Sequence, residues 1–335
     1  MKLLSKRTQY VVLGVLISAV LIWILFRNID FKELVAALKT ANYWWLIPNA
    51  VAIFATMYQR AYRWRPMTRP MGDVPFSKLL SATWIGFMAN NVLPLRLGEF
   101  VRAYSLSSQY PKISKSASLA TIFTERMVFD LLALLLIFGS IIGFSDLELE
   151  TKMKQGLMIA IAIALLGLVF ILLLALKPNQ TGKLLSRYLF FVPERFRSMF
   201  ENIIAKFSQG LAFLTDAKAV INVAIQTMLI WILLGLSNVF VFWAFGFDLP
   251  LETSFVVLVV VSVSILVPST PGFVGVYHAG AVWSLMAYGI DQESALSCAI
   301  VLHATQFIIV TVVGFYYLKK EHLSLKDLEE AAEES

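Results

Sequence analysis

The stretch "LPLRLGEFVRAY", Leu93 to Tyr104, sets Arg96, Glu99 and Arg102 directly after Pro94 in a chain that is otherwise mostly apolar. A spacing of three puts these side chains on one side of a helix that begins after Pro94. There they make a positive patch with an internal carboxylate, which suits an anion. A guanidinium is a planar fork that meets two phosphate oxygens at once and keeps its charge. A helix N-terminus behind Pro94 adds partial positive charge of its own. The plainer alternative is a pair of arginines whose stems reach interfacial water and do nothing else. Charges in a segment that dips into lipid are costly and usually line a cavity, which favours the anion site. Asn90 and Asn91 stand just upstream, placed to satisfy backbone freed by the proline or to touch a polar ligand; beside a proline turn the backbone role is the commoner.

A second cluster, "TERMVFD" at Thr124 to Asp130, interrupts a long apolar run. Glu125 and Arg126 are adjacent and point in different directions, whereas Arg126 and Asp130 are four apart and pair along one face. An ion pair that only fixes helix contacts has the same signature as a binding group, and both readings stay open. The third motif, "PSTPGFVGVYHAG", brings Pro268, Pro271, Gly272 and Gly275 together with the hydroxyls of Ser269, Thr270 and Tyr277. Gly275 and Gly280 there allow close backbone approach. His278 and His303 lie within apolar runs, with Gln306 three residues after His303, and serve either packing or proton relay. No His-x-x-x-His or paired acidic motif is present, so no metal is expected. No nucleophile, base and orienting group are recognisable together, and no nucleotide-binding motif appears, so neither an enzyme nor a cofactor is expected.

These residues must be positioned by membrane helices. Of 335 residues, 59% are hydrophobic and 15% charged, against roughly 25% charged in soluble domains. Apolar stretches run Tyr10 to Phe26, Tyr43 to Tyr58, Phe76 to Leu93, Ser118 to Phe144, Gly156 to Leu176, Val220 to Phe245, Thr253 to Val267, Phe273 to Tyr288 and Ser294 to Leu318. Their lengths suit helices in a ~30 Å hydrocarbon core and lack the alternation of a barrel strand. The basic opening is read as part of a retained first span, since no small-residue cleavage site follows it. The single cysteine, Cys298, lies in an apolar run. The net charge of +6 is assigned to cytoplasmic loops and not to nucleic acid.

Lys and Arg in the connections orient the chain. Arg60 to Lys78 and Lys177 to Lys218 are basic, while Gly246 to Glu252 and Asp291 to Glu293 carry no Lys or Arg, so the first two are cytoplasmic and the others external. Simple alternation would leave Arg96, Arg102, Lys112 and Lys115 outside. A hairpin from Phe76 to Lys115 around Pro94 avoids this and places Asp146, Glu148 and Glu150 outside; Thr253 to Tyr288 makes the matching excursion around Pro268 and Pro271. The expected fold is an all-α polytopic membrane protein of about six full spans plus two proline-centred re-entrant hairpins, with both termini cytoplasmic. Residues 1–144 and 156–318 form an inverted repeat, each hairpin marked by a proline and a following glycine: "VLPLRLG", with Pro94 and Gly98, and "LVPSTPG", with Pro268 and Gly272. Such repeats place a binding site at the bilayer midplane between broken helices. Residues 181–216 read as a cytoplasmic amphipathic segment, and 319–335 as a charged cytoplasmic tail, frayed or disordered.

The motifs "NNVLPLRLGEFVRAY", "TIFTERMVFD" and "PSTPGFVGVYHAG" resemble the lysylphosphatidylglycerol synthase transmembrane-domain, or flippase-domain, family over about Arg60 to Phe315. The combination of Pro94, Arg96, Gly98, Glu99 and Arg102 with the downstream Glu125–Arg126 pair and the Pro271–Gly272 turn carries the resemblance. His278 stands where many members carry Glu. The resemblance implies a lipid translocase of the inner cell membrane without the soluble aminoacyltransferase domain of the full synthases. Its substrate would be an anionic or aminoacylated phospholipid or a polyprenyl-phosphate-type lipid, held in a midplane cavity with Arg96 and Arg102 on the phosphate. The alternative is an accessory protein that docks a glycosyltransferase or lipid-modifying enzyme.

Overall fold

The computed structural model describes residues 6–144 and 207–333, together with Leu166, Gly167, Val169 and Leu173. The acidic residues Asp146, Glu148 and Glu150, most of the run Gly156 to Leu176, and 181–206 of the amphipathic segment lie outside the described residues. Among those described, every regular element is helical: α1 Lys6–Phe26, α2 Phe31–Thr40, α3 Leu46–Thr68, α4 Phe76–Val92, α5 Gly98–Gln109, α6 Lys115–Thr124, α7 Leu131–Phe144, α8 Ala217–Ala244, α9 Leu251–Ser264, α10 Val276–Met286, α11 Gln292–Lys320 and α12 Leu325–Glu333. Most apolar runs within the described residues therefore become helices close to their expected bounds, while α3 continues past Tyr58 to Thr68. Stretches within α1, α8 and α11, at Gln9–Phe26, Ala217–Ala244 and Gln292–Lys320, are long and apolar enough to cross a membrane.

Local chemistry sets the ends. Asp30 accepts from the Lys32 N–H at 2.7 Å to start α2, and Ser114 accepts from the Ala117 N–H at 3.2 Å to start α6, each satisfying a donor that has no carbonyl within the helix. The sequence reading passed over α2, whose short apolar stripe buries Leu34 and leaves Phe31 and Val35 exposed. Of the two forms expected for the tail, Leu325–Glu333 takes the helical one. Ser324 and Asp327 cap each other reciprocally at 2.8 and 3.2 Å, Leu328 is fully buried, and Glu321 pairs with Lys78 at 2.6 Å. Capping, one buried leucine and an ion pair give a short acidic helix the order its composition did not promise.

Contacts divide the chain into two compact units, Met1–Met57 with Trp84–Gly98 and Trp231–Lys319, and Tyr58–Thr83 with Glu99–Ile230 and Lys320–Ser335. In the first, Leu25, Leu34, Phe242, Val257, Leu285 and Leu302 belong to one core. Ser297 donates to the Leu34 carbonyl at 3.1 Å, and Asn49 donates to the Ser237 carbonyl and hydroxyl at 2.9 and 2.8 Å. In the second, Trp64, Met67, Leu106, Ile122, Leu211 and Phe213 form the core, with the Trp64 indole donating to Thr121 at 2.7 Å.

Both proline motifs connect antiparallel helices. Asn90 of α4 accepts from the Gly98 N–H at 2.7 Å, and Ser81 near the start of α4 meets Gln109 at the end of α5 at 2.8 Å. In α9 and α10, Gly280 packs on Ser264 and Val261. A methyl group at Gly98 would strike the Gly86 carbonyl and the Asn90 side chain, whereas Gly139 of α7 has open space around it. Gly98→Ala should therefore lower stability by about 1–3 kcal/mol through overpacking. Gly139→Ala should leave stability unchanged or slightly raised, as ordinary helix propensity predicts; thermal unfolding of each purified variant in detergent measures the difference.

Candidate functional site

Two constellations collect most of the chemically capable residues, each inside one unit. The first is a pair of turns with one backbone shape. Pro94–Arg96 and Pro271–Phe273 are each a single tight helical turn, entered from an extended residue, Leu93 or Thr270. In both, the two residues after proline are left-handed: Leu95 and Arg96 at φ 65° and 56°, Gly272 and Phe273 at 72° and 60°. A glycine follows four residues after each proline, Gly98 and Gly275, and the next helix begins there. The geometric match is thus Pro94 to Pro271, three residues later than the Pro94 to Pro268 alignment expected from the sequence. Positive φ at Leu95, Arg96 and Phe273 is strained for residues with a Cβ and persists only where the surroundings impose it.

This shape corrects the helical reading of Arg96. Helix α5 starts at Gly98, so Arg96 shares no helix face with Glu99 and Arg102. The left-handed pair ends any helical path, and the Gly98 N–H goes to Asn90, giving Asn90 the expected backbone role. Arg96 instead donates to the Ile265 carbonyl at the C-terminus of α9, 3.0 Å away, and lies 5.3 Å from the centroid of the Phe273 ring. Residues in the same place of the two turns therefore touch.

Helices α1 and α11 brace the turns. Ser18 accepts from the Thr270 N–H at 3.1 Å, and Gly14 and Gly275 bring backbone against backbone at Ser269 and Ser18. Asn91 donates to Thr311 at 2.9 Å, so of the two asparagines it is the one that ties α4 to α11. Phe307 packs on Gly272, and His303 reaches the Gly272 backbone. His303 stacks on Tyr277 at 4.6 Å and meets His278 edge-on at 4.8 Å, while His278 Nδ1 accepts from the Gly275 N–H at 3.4 Å, closing the start of α10. Gln306 is exposed on α11. Among the described residues no three His, Cys, Asp or Glu converge as metal ligands. A cavity of about 180 Å³ opens between the turns, lined by Asn90, Arg96, Ser269, Thr270 and Tyr10 among apolar neighbours, including Pro268 and Pro271.

The second constellation is an ion network. Arg63 of α3, fully buried, donates to Asp130 at 2.6 Å, Glu125 at 2.7 Å and Thr227 at 2.9 Å. Arg102 of α5 meets Glu125 at 2.9 Å and lies 3.9 Å from the centroid of the Trp64 ring. Arg126 joins Asp130 at 3.2 Å and Glu99 at 3.5 Å. The expected Arg126–Asp130 pair is present, within a larger assembly. Arg102 is engaged there, facing a carboxylate.

Residues Glu125–Asp130 form a π-helical turn in which the Leu131 N–H reaches the Arg126 carbonyl. On an α-helix Glu125 and Asp130, five apart, would diverge by ~140°. The wider π turn swings both toward Arg63, and such insertions concentrate at functional sites. The sequence reading missed Arg63 and Arg60, counting both as loop charges. Their spacing of three within "QRAYRW" was the available signal, because it continues the helix past Tyr58. Arg60 is also buried, within electrostatic reach of Asp130 and Glu125. Ser18 was missed too; Gly14 and Ser18, four apart, form the small-residue spacing that lets membrane helices approach.

Removing one member of this network strands its partners. Glu125→Leu should cost about 3–5 kcal/mol, because Arg63 and Arg102 lose a shared carboxylate. Arg102→Leu added to Glu125→Leu should restore part of that stability, and a double-mutant cycle on thermal unfolding reads the coupling. Additive effects of the two changes would contradict the arrangement.

Comparisons with known proteins assign the chain to a family. Residues 11–314 match the family described as the lysylphosphatidylglycerol synthase TM region, which extends the resemblance seen in the motifs through α1. The chain is 24% identical over 325 aligned residues to a UPF0104 membrane protein of Methanothermobacter thermautotrophicus, covering 92% of this chain and 94% of that one. It is 27% identical over 246 residues to a UPF0104 membrane protein of Methanocaldococcus jannaschii, covering 70% and 95%. Glycosyltransferase AglD of Haloferax volcanii is 24% identical over 362 aligned residues, which take in 98% of this chain but only 57% of AglD. No solved structure matches. The apolar helices and these relatives identify a multi-pass membrane protein. With the family match running over nearly its whole length, the chain belongs to the lysylphosphatidylglycerol synthase TM-region family.

Proposed function

We propose that this chain is a lipid translocase that passes the headgroup of a phosphate-bearing lipid between leaflets while the acyl or prenyl chains stay in the bilayer. The observation that carries the reading is the cavity between two turns of one backbone shape, with Arg96 its charged lining residue. The matched turns support an inverted repeat of 1–144 and 156–318 with two re-entrant hairpins, the arrangement in which broken helices hold a substrate at the midplane. The Ile265 carbonyl that Arg96 holds carries the partial negative charge of a helix C-terminus. A lipid phosphate is the stronger acceptor because its bond to guanidinium is charge-assisted. It draws Arg96 from Ile265 and loosens the turn contact, which links headgroup entry to opening. Arg102, Glu99, Glu125, Arg126 and Asp130 hold helices in this scheme and leave the phosphate to Arg96.

The match to AglD, a glycosyltransferase by name, favours a second reading in which the chain docks a glycosyltransferase or other lipid-modifying enzyme. Lipid exchange that requires such an enzyme would select it.

In proteoliposomes, exchange of fluorescent phosphatidylglycerol should fall about tenfold or more in Arg96→Lys and Arg96→Ala, because lysine loses the two-point grip. Thermal stability should fall by no more than about 1 kcal/mol, the worth of the lost bond to the Ile265 carbonyl, and unchanged rates in both variants beside an active parent would return Arg96 to a structural role. In this reading both termini lie in the cytoplasm, an orientation that the basic connections support. Single cysteines at Gln109 and Asp291 in a Cys298→Ala background should accordingly react with impermeant maleimide from the cytoplasmic and external sides respectively. Labelling of both from one side would remove the inverted repeat.

A further inference from the structure

Two of the chain's three histidines hold the turn that follows Pro271, and they hold it with opposite chemistry. His278 Nδ1 accepts from the Gly275 N–H at 3.4 Å. An accepting nitrogen keeps its lone pair, so His278 is a neutral ring in this arrangement. His303 is bonded to the Gly272 backbone. A protonated ring only donates, so it keeps that bond through the Gly272 carbonyl, and charge strengthens it. A proton therefore breaks the grip of His278 and tightens that of His303. The rings meet edge-on with centroids 4.8 Å apart, too close for two like charges in a half-buried place, so the pair has room for one proton. The Tyr277 ring, stacked on His303 at 4.6 Å, offers its face to that cation. Other titratable groups around the pair are Cys298 beside Tyr277 and Arg96 over the Phe273 ring. Helices α1 and α9 face α10 with the neutral Ser18 and Ser264.

The same turn lines the cavity on its other side, through Thr270, Pro271 and Phe273. A phosphate beside Arg96 and a proton on the imidazole pair thus attract each other across one turn of backbone, in surroundings that screen charge less than water does. We infer that His278 and His303 form a proton-binding site, and that a proton crosses with each lipid headgroup in the same direction. The inference rests on the translocase reading and adds its driving force. The proton comes from water on one side and returns to water on the other, and only N–H bonds form and break. It offsets the single negative charge of a phosphodiester, so the loaded site carries no more net charge through hydrocarbon than the empty one. When the proton passes from His303 to His278, the Gly275 N–H loses its acceptor and a cation faces the N-terminus of α10, which loosens the turn.

The test uses the full chain in phosphatidylcholine vesicles with trace fluorescent phosphatidylglycerol or a fluorescent polyprenyl phosphate, the membrane potential held at zero by potassium and valinomycin. Protein-free vesicles supply the background. Under a pH difference of about one unit, the lipid that exchanges should collect in the leaflet on the alkaline side by about tenfold, the ratio for one proton per lipid. A pH-sensitive dye in the lumen should record the accompanying proton. His303→Gln keeps a donor for Gly272 and His278→Gln an acceptor for Gly275, yet neither glutamine takes up a proton, so each should return the leaflet ratio to the protein-free value. Thermal unfolding in detergent checks that the variants fold. Diethylpyrocarbonate applied to reconstituted His322→Gln protein blocks the same two histidines after folding, and should abolish the gradient-driven ratio until hydroxylamine reverses it. An even lipid distribution in an exchanging wild type would overturn proton coupling, and a tenfold ratio surviving in folded His303→Gln would overturn the site. Exchange of neither lipid above the protein-free background, at any pH, would overturn the translocase reading itself, a result distinct from loss of coupling.

Discussion

A buried guanidinium has few stable surroundings, and the second unit of this chain is arranged around one of them. Arg63 offers its fork to Asp130 and Glu125 and also donates to Thr227, so residues from α3, the π turn and α8 are held at one point. An isolated charge taken from water into an apolar interior costs far more than a folded domain can spare, and pairing must accompany burial. That requirement explains why Glu125 is also shared with Arg102, and why the helix widens at Glu125–Asp130. A regular α-helix could present only one of the two carboxylates to Arg63. The wider turn brings both carboxylates into line with Arg63.

The first unit meets a related constraint with backbone instead of side chains. A helix broken by proline frees N–H and C=O groups, which apolar surroundings tolerate only if protein or a water-lined cavity satisfies them. Asn90 takes the Gly98 N–H, Ser18 takes the Thr270 N–H, and Arg96 takes the Ile265 carbonyl. Gly14 and Gly275 let α1 approach closely enough for these bonds to form. The strained residues Leu95, Arg96 and Phe273 belong to these braced turns. Backbone strain and the cavity that Arg96 lines thus occur together.

Composition and periodicity determined the class of the molecule: an all-helical membrane protein, helix bounds within a few residues for most apolar runs, and hairpin bends at Pro94 and near Pro271. These are local properties, set by apolar length, proline's missing N–H and helix caps, and they are legible without knowing what lies opposite. The family was legible for the same reason, in motifs that are contiguous in the chain. The pairing of Arg126 with Asp130 was readable because it spans one helical turn.

Tertiary structure alone decided the rest. Whether Arg63 was a loop charge or the centre of a buried network depended on α3 continuing past Tyr58 and on carboxylates 62 and 67 residues away in sequence. Arg96, Glu99 and Arg102 share a spacing that reads as one helix face, yet two left-handed residues stop the helix before Gly98. Left-handed φ at a leucine and an arginine is disfavoured locally, so no reading of propensities would choose it. It is imposed by contacts from remote segments, which a single strand of letters does not display.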